Sequence, residues 1–238
     1  MLGDVAAAEE NLQRAREALA RNPDSRRVEE GYLNMRARHL IETGATPQLE
    51  LARAGTVAGS HPNWVATVGM IAATNGNPGT ARDAVARLAE LGAAAAAGGR
   101  SHEARRLEVL ELEVAALAAA AAGNTERAAV AARQAAEAEM ELGAPSGPPD
   151  PIKPAWELYG EVLLGAGRAA DAMAAFEQSL QWIPQRTPSL LGLARAATAT
   201  GDESVAATSY RTIVDMPGMH SEGIAVREAL AGIGDGGR

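Results

Sequence analysis

The 238-residue chain contains no cysteine. Disulfides, thiolate catalysis and cysteine-held zinc are therefore excluded. Aromatic residues make up only 3% of it. A core of ordinary globular shape needs more bulk than that, because rings and large aliphatics supply most of its buried area. Lysine occurs once, as Lys153, and the net charge is −8. Nucleic-acid binding draws its affinity from cationic contacts to phosphate, so no nucleic-acid partner is expected. No apolar stretch approaches the roughly 18 residues of a membrane span. The alanine runs Ala93–Ala97 and Ala118–Ala122 are short and weakly apolar, and no membrane partner is expected. The opening Met1-Leu2-Gly3-Asp4 lacks a basic region followed by an apolar segment, which makes a cytoplasmic location the expectation.

What the chain has in plenty is alanine and glycine, together about a third of its residues. Alanine is the best helix former, and small side chains let helices approach closely. A thin, two-layer stack of helices suits this composition. Glycines spaced along the chain mark turns within helix pairs: Gly3, Gly44, Gly76, Gly123, Gly167 and Gly201. Five residues after each stands Ala8, Leu49, Ala81, Ala128, Ala172 or Ala206; only Leu49 departs from a small residue. Seven residues before each of the last five stands Ala37, Gly69, Ala116, Gly160 or Ala194. Gly-Asp, Gly-Asn and Gly-Arg at these turns suit a left-handed helix end followed by a new cap. The pattern predicts helices over 4–21, 26–43, 47–58, 62–75, 78–97, 101–122, 125–142, 154–166, 169–182, 187–200, 203–215 and 221–232.

The stretch from Trp156 carries Tyr159-Gly160, Leu163, Ala172, Phe176 and Pro184 at the spacing of a 34-residue helical repeat. On these residues the chain resembles the tetratricopeptide repeat family. The resemblance implies an all-α fold of about 12 helices, antiparallel pairs stacked into a right-handed solenoid. The expected division is irregular repeats over 1–142, a proline-rich linker over 143–153, two regular repeats over 154–216, and a capping helix with a disordered tail over 217–238. Met35-Arg36-Ala37-Arg38, Ile41-Glu42-Thr43-Gly44, the helix through Leu107–Leu117 and Glu157-Leu158-Tyr159-Gly160 extend it. They resemble the C-terminal half of uncharacterised bacterial tetratricopeptide proteins. Because the chain opens at a turn within a pair, it is expected to be the C-terminal part of a longer repeat protein.

No nucleotide, hydrolase or zinc-protease motif appears. His39, His61, His102 and His220 fall apart from one another, without a second ligand at metal spacing. Neither catalysis, nor a metal, nor a cofactor is expected. The resemblance implies instead a concave surface lined by the first helix of each pair. In that register the groove candidates are Asn34, Arg38, Met70, Glu113, Leu117, Glu157, Glu161 and Arg195. Relatives that grip a peptide C-terminal carboxylate use Lys, Asn and Arg at such positions. The mixed, partly acidic set here implies a basic or amphipathic peptide for the C-terminal half. The expected function is a non-catalytic scaffold for a protein or peptide partner; the alternative is a sensor or accessory module of a larger bacterial enzyme or regulator. Trp156, Tyr159 and Phe176 are expected to pack in the core.

Overall fold

The computed structural model describes residues 5–143, 152–216 and 224–235. Among these residues every regular element is helical: α1 (Val5–Arg21), α2 (Arg26–Thr43), α3 (Val57–Ser60), α4 (Pro62–Thr74), α5 (Pro78–Ala97), α6 (Ser101–Ala121), α7 (Thr125–Leu142), α8 (Ala155–Gly165), α9 (Ala169–Trp182), α10 (Thr187–Thr200), α11 (Glu203–Asp215) and α12 (Ile224–Asp235). The predicted turn at Gly3 lies outside the described residues. The chain forms two compact units, an N-terminal one over Ala6–Ala155 and a C-terminal one holding Trp156–Arg238.

One turn recurs in both units. Gly76, Gly99, Gly123, Gly167 and Gly201 all have φ between +69° and +80°, a region that glycine occupies without a Cβ penalty. The residue after each glycine donates its backbone N–H five residues back, at 2.8–2.9 Å, and so satisfies a terminal helix carbonyl. That same residue often starts the next helix. Asn77 accepts from the Thr80 N–H, Asn124 from Arg127 and Asp202 from Val205, at 3.1–3.2 Å. The chain thus reverses within a few residues and lays consecutive helices antiparallel.

In the N-terminal unit α4 packs on α5, α5 on α6 and α6 on α7, while α2, α4 and α6 form a row in which α4 touches both others. The small positions are where these helices meet. Ala37, Ala81, Ala116 and Ala128 are fully buried. A Cβ placed on Gly69 would meet Ala84 Cβ and Val114 Cγ1, each at 2.7 Å. In the C-terminal unit α10 packs between α9 and α11, and α12 continues on α11. Here one ring fills each step. The Phe176 ring lies 2.8 Å from where Gly160 would carry a Cβ and closer still to Gly192, and Tyr210 stands against Gly232 in the same way. Phe176 is fully buried, as expected; Trp156 and Tyr159 are only half-buried, ring centroids 6.0 Å apart.

Two expectations need correction. The predicted helix over 47–58 is not formed: residues 45–53 have no regular structure and only Val57–Ser60 is helical. Leu49 and Leu51 are half-buried against α2 and α4, while Gln48 and Glu50 are exposed. Apolar residues two apart point to opposite sides of a helix, so both can turn inward only in a non-helical chain. The departure at Leu49 therefore marks the place where α2 lacks a paired second helix. The last helix, predicted over 221–232, extends to Asp235; of its predicted start, residues 221–223 lie outside the described residues. Ala8, at an expected helix contact, is exposed, and none of residues 7–21 is buried.

Candidate functional site

The first helices are α2, α4 and α6 in the N-terminal unit, and α8, α10 and α12 in the C-terminal unit. Counting back from each turn glycine separates the predicted groove residues into two rows. The row six residues before the glycine holds Arg38, Met70, Leu117, Glu161 and Arg195. The row ten residues before it holds Asn34, Glu113 and Glu157.

In the nearer row Glu161 and Arg195 are exposed and Arg38 is half-buried. Leu117 is half-buried against Ala72, Ala73 and Ala81. Met70, at 3% exposure, is a core residue of α4. Arg195 of α10 donates from Nε and Nη2 to both carboxylate oxygens of Glu228 on α12, each at 2.7 Å. That hydrogen bonding raises the guanidinium pKa further above its usual value, more than burial lowers it, and Glu161 adds to the effect. Glu161, Arg195 and Glu228 thus lie on three successive first helices as an acid–base–acid series.

The farther row turns inward. Glu113 is 0% exposed on α6. Glu157, also 0% exposed, receives a bidentate pair from Arg186, with Nε to Oε2 at 2.6 Å and Nη2 to Oε1 at 3.0 Å. Ser189 donates to the same Oε2 at 2.6 Å, and the Ser179 hydroxyl lies 3.0 Å from that of Ser189. This network ties α8, the end of α9 and the start of α10. The turn it secures holds Gln185 at φ +63°, left-handed for a residue with a side chain. The acidic contribution expected of Glu157 at a groove is therefore spent on an internal ion pair.

Asn34, in the middle of α2, belongs to a second polar chain that joins it to the N-terminal turns of α4 and α6. The buried Asn63 of α4 donates its amide to Asn34 Oδ1 at 2.9 Å and accepts from Arg106 Nη2 of α6 at 2.6 Å. Next to it, His61 caps α4 by accepting the Trp64 N–H on Nδ1 at 3.3 Å, which leaves the imidazole proton on Nε2. Burial pushes the His61 pKa down, opposed by Glu30 and assisted by Arg106. Asn63, Arg106, Arg186, Ser189 and Glu228 escaped the sequence reading. One signal was available: Glu157 interrupts an apolar run, Ala155-Trp156-Glu157-Leu158, and a lone carboxylate there asks for a buried partner.

Among the described residues no three His, Asp or Glu side chains gather as a metal site, and no helix is long and apolar enough to cross a membrane. Helix pairs joined by a recurring glycine turn, with first helices aligned in a row within each unit, define an α-helical repeat protein. Residues 163–214 match the family model of the tetratricopeptide repeat. No curated protein matches the chain.

Proposed function

We propose that the protein is a non-catalytic scaffold that binds a segment of a protein partner across the first helices of its pairs. Tetratricopeptide repeats are in general protein-interaction modules, so the repeat supports the broad reading. One observation supports the finer one. In the row six residues before the turn glycines Glu161 and Arg195 are exposed and Arg38 is half-buried, whereas Met70 in the same row is a core residue. Their mixed charge favours a basic or amphipathic segment over a bare carboxylate at the C-terminal unit, where two of the three groups in the series are acidic. Affinity capture with the wild type beside an Arg38→Glu, Glu161→Lys double variant tests this. The expected result is at least tenfold lower partner recovery by the variant. Equal recovery of identical partners would remove the first-helix face from the account.

A further inference from the structure

Ile152 lies outside every helix, between α7 and α8, yet it is 0% exposed. It joins one apolar cluster with Leu33, Ala37 and Leu40 of α2 and Trp64, Val68 and Ile71 of α4. These partners are about 80–120 residues away in sequence, and all belong to the N-terminal unit. Pro154 is buried beside it and Lys153 is half-buried. The segment then ends in a specific bond, the Ala155 N–H donating to Glu139 of α7 at 2.9 Å.

Ile152 stands between two prolines in the run Pro151-Ile152-Lys153-Pro154. A residue before proline is kept out of the helical region, which holds Lys153 outside α8, and prolines lower the chain entropy lost when such a segment is ordered. The receiving face exists because α2 has no second helix paired with it. The irregular residues Leu49 and Leu51 cover part of that cluster, and Ile152 is seated in it with them. On the same helix pair the Arg36 guanidinium sits 4.7 Å from the Trp64 ring centroid. The chain bends at Ile152 and Lys153, so the branched apolar side chain enters the cluster from a non-helical turn between proline positions, and here the chain supplies it to its own first helices.

We propose that Ile152–Pro154 is an internal ligand of the α2–α4 face. That face takes in exchange a proline-flanked segment of a protein partner with a branched apolar residue at its centre. The inference rests on the scaffold reading and assigns the partner chemistry of its N-terminal unit. Occupancy by the chain's own segment lowers the apparent affinity for a competitor in proportion to the fraction of open face.

The test uses the full chain, wild type and Ile152→Ala, titrated with the peptide Asp-Pro-Ile-Lys-Pro-Ala and with the same peptide carrying Asp in place of Ile. Amide chemical shifts give both the site and the affinity. The expected result is binding to I152A at least tenfold tighter than to the wild type. Shifts should centre on Leu33, Trp64 and Val68, and the Asp peptide should not bind. Equal affinity for the two proteins, no binding to I152A at millimolar peptide, or shifts elsewhere would overturn the proposal. Should I152A lose its helical circular dichroism, the Ile peptide added in trans restores it if Ile152 is a detachable ligand, and failure to restore it also overturns the proposal. A negative peptide result alongside intact sensitivity of partner capture to Arg38→Glu, Glu161→Lys would reject the internal ligand and leave the scaffold reading standing.

Discussion

The two units use the same turn and fill the space between helices differently. In the C-terminal unit the turn glycines Gly167 and Gly201 are 34 residues apart, and so are the rings Phe176 and Tyr210. A ring against a glycine sets each helix spacing, and the buried Glu157–Arg186 pair fixes one turn between repeats. In the N-terminal unit α5 and α6, of 20 and 21 residues, combine alanines such as Ala84, Ala95 and Ala119 with Leu88, Leu107 and Leu110, and the buried residues of α7 are alanines, Ala132 among them. Alanine buries little area per residue, and burial scales with apolar area. Length compensates, because a longer helix adds more small contacts to the same interface. A regular period thus accompanies bulky fillers, and a drifting period accompanies small ones that tolerate many registers.

The largest effect expected from this contrast is at the ion pair. Glu157→Ala leaves Arg186 charged and buried, a loss of about 3–5 kcal/mol. Urea unfolding measures the loss, and amide exchange should place it in α8, α9 and α10. Next come two glycines that test ring packing against alanine packing. Gly192→Ala drives a methyl into the Phe176 ring and Gly69→Ala one onto Ala84 and Val114, each at a cost of about 1–3 kcal/mol. The larger loss is expected at Gly192, where the approach is closer and a fully buried ring has least freedom to move. Gly31→Ala works in the opposite direction. A methyl there meets nothing within 4 Å inside α2, so helix propensity alone should stabilise the N-terminal unit by about 0.5–1 kcal/mol. Thermal melting distinguishes the sign.

The smallest effect is the pH dependence of the N-terminal unit. Burial holds the folded His61 pKa below its unfolded value of 6.5. The unfolded chain then binds the proton more readily, so the stabilisation is fully present above pH 6.5 and is lost as pH falls through the folded value. Protonation of Nδ1 also removes the acceptor that caps α4. His61→Asn, which retains a capping oxygen without the titration, should flatten this part of the stability–pH curve. An unchanged slope would assign it elsewhere.

Much of this fold was legible in the sequence because its information is local. A glycine that must be left-handed, a capping side chain after it and small residues at fixed offsets all lie within one helix pair. They place α4 to α7 and α9 to α11 to within about a residue. What could not be read is non-local. Glu157 and Arg186 are 29 residues apart with no periodicity linking them, and the polar residues of the row that carries Glu157 give no sign that it turns inward. Ile152 reads as linker because proline and glycine surround it, and nothing along the chain marks its seat between α2 and α4. The segment 47–58 misled for a physical reason: Pro47 imitates a helix start, while the Leu49–Leu51 spacing contradicts one. Among the candidate positions, Glu161 and Arg195 lie exposed on the first helices, whereas Met70, Glu113 and Glu157 build the interior.

The most direct test of the binding face is site-specific photo-crosslinking in the full chain. A photoreactive residue replaces Glu161 on a first helix, or the exposed Glu177 on a second helix, and the partners recovered from each are compared. The account predicts capture of a defined protein from position 161 and none of it from position 177. Capture from position 177 alone would contradict it.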